Sequence, residues 1–81
     1  MKVRVLFFAQ LRERARTGEA VLELAEGTDV ATLWDQICGR YPDVEPLAGS
    51  ISFAVNREYV GRDCVLAADD EIALIPPVSG G

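Results

Sequence analysis

The one reactive arrangement in this sequence lies at its end. After Ile75 the chain reads Pro76-Pro77-Val78-Ser79-Gly80-Gly81. Two prolines end a strand and stiffen the exit in an extended, polyproline-like form that holds the tail away from the body. Gly80 and Gly81 have no side chain, so neither adds to a core, and their backbone entropy opposes ordering. What they offer is access. A backbone without Cβ atoms threads a narrow channel in another protein and adopts positive φ where the channel demands it. The group delivered is the α-carboxylate of Gly81, ionised at neutral pH with an ordinary pKa of about 3.5. A carboxylate is a poor electrophile until it becomes a mixed anhydride such as an acyl-adenylate. The pattern predicts Gly81 as the reacting residue, threaded into a partner by Gly80, Ser79, Val78, Pro77 and Pro76.

Few other residues compete for a chemical role. The chain has no histidine, which removes the commonest general base and the commonest zinc ligand. Serine–histidine catalysis, His–Cys zinc sites and His-ligated haem are excluded, and no metal site is expected. Cys38 falls on the apolar stripe of a helix and reads as an inert core thiol. Cys64 lies near a turn with only Arg62 close by to lower its pKa, so a sulfur relay there is the minor reading. Asp69-Asp70-Glu71 reads as a solvated bend rather than a cation site. Trp34 reads as helix core.

The composition is that of one small domain. The chain has 81 residues, 49% hydrophobic and 26% charged, with a formal charge of −5. No apolar run reaches the roughly 20 residues that span a bilayer, and the opening Met-Lys-Val-Arg-Val builds no signal-peptide core. Two cysteines make a poor disulfide framework, so a cytoplasmic, reducing home is expected. Charge is uneven along the chain. Residues 1–16 hold Lys2, Arg4, Arg12, Arg14 and Arg16 against Glu13 alone, for a net +4. Residues 17–81 hold three arginines against twelve acids, for a net −9. An acidic majority argues against nucleic acid as a ligand. The arginine cluster reads first as a solvated turn and second as a dock for an acidic partner.

Alternation over residues 2–9 predicts a strand, with Val3, Val5 and Phe7 on one face and Arg4, Leu6 and Phe8 on the other. Residues 10–16 suit one or two helical turns, and residues 19–25 resume a strand. The clearest helix starts after Thr28, read as its N-cap, and runs to Tyr41, where Pro42 stops it. Its stripe is Val30, Leu33, Trp34, Ile37, Cys38 and Tyr41. Residues 42–50 read as a loop. Ile51 to Asn56 alternates as a strand, Glu58 to Val60 as a short one, and residues 71–75 as the last.

One amphipathic helix and one mixed sheet close a single core, which predicts an α+β fold of the ubiquitin-like β-grasp type. Residues 1–75 form the domain and 76–81 the extended tail. If Val3, Val5, Phe7, Ile51, Phe53, Val55, Ile72 and Leu74 face the helix, then Leu6, Phe8, Ala54, Ala73 and Ile75 face away, with Tyr59 nearby. An uncovered apolar patch beside the tail exit marks a partner site.

Along nearly its whole length the chain resembles the small subunit of molybdopterin synthase, a family of ubiquitin-like sulfur carriers in molybdenum-cofactor biosynthesis. The carrying segments are Val5-Leu6-Phe7-Phe8-Ala9-Gln10-Leu11-Arg12-Glu13, Ala54-Val55-Asn56-Arg57-Glu58-Tyr59-Val60 and Asp69 to Gly81. The resemblance implies that an E1-like adenylating enzyme uses ATP on the Gly81 carboxylate. A sulfur donor such as a cysteine desulfurase or rhodanese-like protein then displaces AMP to leave a thiocarboxylate. The large subunit receives the tail, supplies the catalytic side chains and passes the sulfur to cyclic pyranopterin monophosphate, forming the molybdopterin dithiolene. The implied assembly is a heterotetramer, with no cofactor bound to this subunit and no nucleic-acid or membrane partner. Phe8, Leu6, Ile75, Tyr59 and Arg12 are the expected partner-binding residues. The alternatives are a sulfur carrier for thiamine thiazole synthesis, or a ubiquitin-like modifier joined through Gly81 to lysine amines.

Overall fold

A computed structural model of the chain describes residues 1–77. The β-branched and aromatic opening forms β1 (Lys2–Phe7), with Val3, Val5 and Phe7 buried and Lys2 and Arg4 exposed. The strand stops two residues short of the predicted 2–9. Phe8 is already the N-cap of α1 (Ala9–Ala15), and Ala9 turns the corner with a positive φ of 48°. The helix buries Leu11 and Ala15 and leaves its arginines outside. β2 (Glu19–Glu23) then returns antiparallel to β1.

The main helix is α2 (Val30–Arg40), which buries Val30, Leu33, Trp34 and Ile37. Cys38 and Tyr41 pack against the same core from its rim. Its N-cap is Asp29, not the predicted Thr28. Asp29 accepts a hydrogen bond from the Thr32 N–H at 2.9 Å, while the buried Thr28 hydroxyl donates to the Ala25 carbonyl at 2.6 Å. Thr28 is thus committed to the preceding turn. The predicted loop at 42–50 is instead a run of 3-10 turns over Pro42–Ser50. Pro42 presets the first φ and the fully buried Val44 pins the segment to the core.

β3 (Ser52–Val55) and β4 (Glu58–Val60) form a hairpin turned by Asn56 and Arg57, both at positive φ. Two such residues make the primed turn whose twist suits a two-residue hairpin. Asn56 also donates to the Asp70 carboxylate at 2.8 Å and accepts from the Glu71 N–H at 3.0 Å. Those bonds tie the turn to the start of β5 (Glu71–Ile75).

The sheet has the order β2-β1-β5-β3-β4, with β1 and β5 parallel and the other pairs antiparallel. Val3, Val5, Phe7, Phe53, Ile72 and Leu74 meet α2 in one buried cluster. Phe7 stacks edge-on against Tyr41, and Phe53 against Trp34, at centroid distances of 5.3 and 6.0 Å. A mixed five-stranded sheet grasping one main helix is the ubiquitin-like β-grasp. Among the described residues the other sheet face carries no helix.

Candidate functional site

Parallel pairing of the two central strands places the tail exit. The register matches Leu6 with Ala73 and Phe7 with Leu74, so Phe8 follows beside Ile75 and Pro76. Both strands therefore end at the same edge of the molecule, where β1 hands over to α1 and β5 to the tail.

Outward-facing residues of successive strands line up across the sheet. One row runs through Leu6, Ala73, Ala54 and Tyr59, and the next holds Phe8, Ile75 and Ser52. Phe8 is 46% exposed and Tyr59 73%, while Leu6, Ala73 and Ile75 are half-buried. Ala54 lies on this face, as the alternation predicts, yet is only 4% exposed. Its methyl sits mid-sheet between the register positions of Ala73 and Tyr59 and is too short to emerge. The result is an apolar patch next to Pro76, on a face that an isolated fold would have no reason to make apolar.

The far end of the same face is ionic. Arg4 on β1 reaches Glu19 on β2, with Nε 3.2 Å from the carboxylate, and also Glu71 on β5. Its hydrogen bond to Glu71, then the charges of Glu19 and Glu71, hold the guanidinium above the usual arginine range. The exposed Val21 shares the row of Arg4 and Glu71, and Glu19 pairs with Leu6 in the next, so charged and apolar groups mix over this part of the face while apolar side chains lie where the tail leaves.

Arg12 is exposed on α1, with its side chain lying along Gly18. Arg12 and Arg16 line one shallow depression with Ala9, Glu13, Thr17 and Gly18. The sequence places both in the arginine cluster of residues 1–16, read second as a dock for an acidic partner, but only Arg12 is among the expected partner-binding residues. Pro76 is half-buried and Pro77 exposed. Val78, Ser79, Gly80 and Gly81 lie outside the described residues.

Neither cysteine joins the patch. Burial pushes the Cys38 thiol up, reinforced by Glu45 and Asp35 and opposed by Arg62. A thiol held protonated is a poor nucleophile. Cys64 is partly buried against the core, and its Sγ donates only to the Val65 carbonyl at 3.8 Å among the described residues. Among those residues no cluster of acidic or sulfur side chains is placed to hold a metal ion, and no helix is long and apolar enough to cross a membrane. Around the exit Leu6, Phe8 and Ile75 are apolar, Ser52 and Tyr59 add hydroxyls on the same face, and Arg12 stands beside Glu13.

Comparison with known proteins agrees with this geometry. Residues 5–81 match the ThiS family. The chain is 39% identical over 83 residues to the molybdopterin synthase sulfur carrier subunit of Chlamydomonas reinhardtii, covering 100% of both chains. It is 36% identical to the human protein of the same name, covering 99% of this chain and 94% of that one. Among solved structures, SAMP1 of Haloferax volcanii, a small archaeal modifier protein, superposes with a TM-score of 0.90 at 28% identity, covering 100% of both.

Proposed function

The chain belongs to the ThiS family, among the molybdopterin synthase sulfur carrier subunits, and from that premise we propose that it carries sulfur on Gly81. The observation that carries this reading is the exposed Phe8 held beside Ile75-Pro76 at the point where the tail leaves an uncovered apolar sheet face. A carrier must be recognised first by the enzyme that loads it and then by the enzyme that unloads it. One docking face next to one reactive tail serves both in turn, and makes the two complexes mutually exclusive.

The steps follow from carboxylate chemistry. An E1-like activating enzyme transfers AMP from ATP to the Gly81 carboxylate and releases pyrophosphate. The acyl-adenylate is then attacked by the terminal sulfur of a persulfide held on a cysteine desulfurase or rhodanese-like protein, AMP leaves, and a thiol reductant cleaves the acyl disulfide so formed, taking the donor cysteine into a disulfide. What remains is a C-terminal thiocarboxylate whose sulfur is the nucleophile. In the large synthase subunit it forms a C–S bond to a side-chain carbon of cyclic pyranopterin monophosphate as a C–O bond at that carbon breaks and the oxygen leaves; water then cleaves the thioester formed, returning the carboxylate and leaving sulfur on the pterin. Repetition builds the dithiolene of molybdopterin. This chain supplies the tail and the docking residues Leu6, Phe8, Tyr59, Ile75 and Arg12. Catalytic side chains come from the partner.

Intact-mass measurement tests the reading. The full chain, incubated with the activating enzyme, ATP and a sulfur source, gains the mass of sulfur replacing oxygen, and a Gly81-deleted chain does not. No shift in the full chain, or the same shift in both, would overturn it. A second reading is favoured by the likeness to SAMP1: a modifier joined through Gly81 to lysine amines. Isopeptide-linked ladders in cells, absent with the Gly81 deletion, would select it.

A further inference from the structure

Arg16 stands where the fold disfavours it. It is the C-cap of α1 at φ 61°, ψ 27°, the left-handed conformation that glycine adopts freely and an L side chain resists. It follows the seven-residue helix and lines one depression with Arg12 and Glu13, so two like charges lie close together there with one acid beside them. Like charges close together repel. A cation near a helix C-terminus does favour the dipole, but Arg12 and Arg14 already occupy the last turn. The chain is rich in acids, and Arg4 takes two carboxylates, yet Arg12, Arg14 and Arg16 form no salt bridge among the described residues. Glu13 lines the same depression but forms no salt bridge with either, so among the described residues no ion pair rewards the pair Arg12–Arg16.

Its position does. The depression borders Phe8 through Ala9, and the Phe7 N–H donates to the Gly18 carbonyl at 3.0 Å, which fixes its floor to the end of β1. The pair is therefore continuous with the apolar docking patch and lies at the edge where the tail leaves. Thr17 stiffens the rim, its hydroxyl donating to the Glu19 carbonyl at 2.8 Å.

We propose that Arg12 and Arg16 form a two-pronged anchor for a carboxylate side chain, Asp or Glu, at the rim of the partner channel that receives the tail. The inference rests on the carrier reading above and adds the chemistry of the partner's surface. A chain of net charge −5 is repelled by an acidic partner unless its basic spot leads. The anchor therefore orients the encounter so that the tail arrives first at the channel. A polyanion is the less suitable occupant, because it would meet the acidic remainder as well.

The test is stopped-flow association with the large synthase subunit. Arg16→Gln and Arg12→Gln are compared with Arg57→Gln, which makes the same charge change at the far end of the sheet, in the hairpin turn. Either anchor variant lowers the association rate roughly three- to tenfold near 0.1 M salt, where the screening length is about 10 Å. The difference closes near 1 M salt, where it is about 3 Å. Arg16→Gly shows the same kinetic loss with no fall in Tm, since glycine relieves the backbone. That opposition separates an anchor from a structural residue. Unchanged rates in Arg16→Gln, or an equal loss in Arg57→Gln, would overturn the anchor while the carrier reading stands. Failure of the wild-type chain to bind the large subunit at all would overturn both. Binding to duplex DNA that Arg16→Gln abolishes would reassign the spot to a polyanion.

Discussion

Phe7 and Phe8 are neighbours in the chain and opposites in the molecule. Phe7 is 2% exposed, locked edge-on to Tyr41 in the core, while Phe8 is 46% exposed on the bare side of the sheet. The same contrast runs through the central strands, with Val5, Ile72 and Leu74 fully buried and Leu6, Ala73 and Ile75 half-open. Both faces use apolar residues, so hydrophobicity alone does not separate a core from a dock. What separates them is the cover: α2 covers one face within the chain, and the other, in the carrier reading proposed above, is left for a second protein. Stability and association should accordingly be removable one at a time.

The largest effect tests the covered face. Phe7→Ala removes a buried ring and leaves a cavity, a loss of about 3–5 kcal/mol. Whole-domain stability at this size is only of order 4–12 kcal/mol. Urea melts should therefore show a chain unfolded or nearly so. A modest loss, under about 1 kcal/mol, would mean that the core is not where the two faces place it.

Phe8→Asp tests the open face. Urea stability should stay within about 0.5 kcal/mol of wild type, as for a surface position. Affinity for both the activating enzyme and the large subunit should fall by about 2 kcal/mol or more if Phe8 is a central anchor of the proposed dock. Severe unfolding would invert the assignment of the faces. Normal binding to both partners would remove Phe8 from the dock and leave the comparison without its functional half.

How far these faces were legible follows from what sets them. Period-two alternation is local, so Val3, Val5 and Phe7 against Leu6 and Phe8 could be read from six residues. The i, i+3, i+4 stripe from Val30 to Tyr41 marked α2 for the same reason. Three features were not legible. Pro42–Ser50 carries two prolines and a glycine, a loop composition, and becomes 3-10 turns only because Val44 finds the core. The choice of Asp29 over Thr28 as N-cap depends on which side chain the preceding turn has already taken. The bridging of Arg4 to Glu19 and Glu71 joins residues far apart in sequence through a sheet order that alternation does not reveal. In the candidate site, the exposed patch was legible and the left-handed Arg16 was not, since the glycine of the turn, Gly18, stands two residues after it.

A smaller effect sharpens the covered side. Arg62 lies outside, yet its guanidinium is 5.1 Å from the Phe53 ring centre and donates to the Ala48 carbonyl at 2.7 Å. It lids the aromatic pair Phe53–Trp34 and ties the 3-10 segment to the loop after β4. Arg62→Met keeps the apolar stem and removes the charge, and should lower stability by about 0.5–1 kcal/mol, as for an exposed cation–π contact. Association should be unaffected, because the lid belongs to the helix side. A loss of binding with stability intact would extend the dock around the edge of the sheet.

The smallest effect is a dependence on pH, also confined to the helix side. The Thr32 N–H donates to Asp29 at the start of α2 and holds its carboxyl below the usual carboxylate range. A folded pKa below the unfolded one means that the ionised form is favoured by folding. The contribution is therefore fully present above the unfolded value of about 3.9 and is lost as pH falls through the folded value. Asn caps as well as Asp but does not titrate. In Asp29→Asn the Tm at neutral pH should stay near wild type, and the gap between the two chains should shift in favour of the variant as acid neutralises Asp29. In Asp29→Ala the cap itself is gone, and Tm should already be lower at neutral pH. Because α2 faces away from the dock, neither change should alter association with the large subunit at pH 7. If both weakened it, the two faces would be coupled through the sheet, and the separation of stability from docking would fail at its most sensitive point.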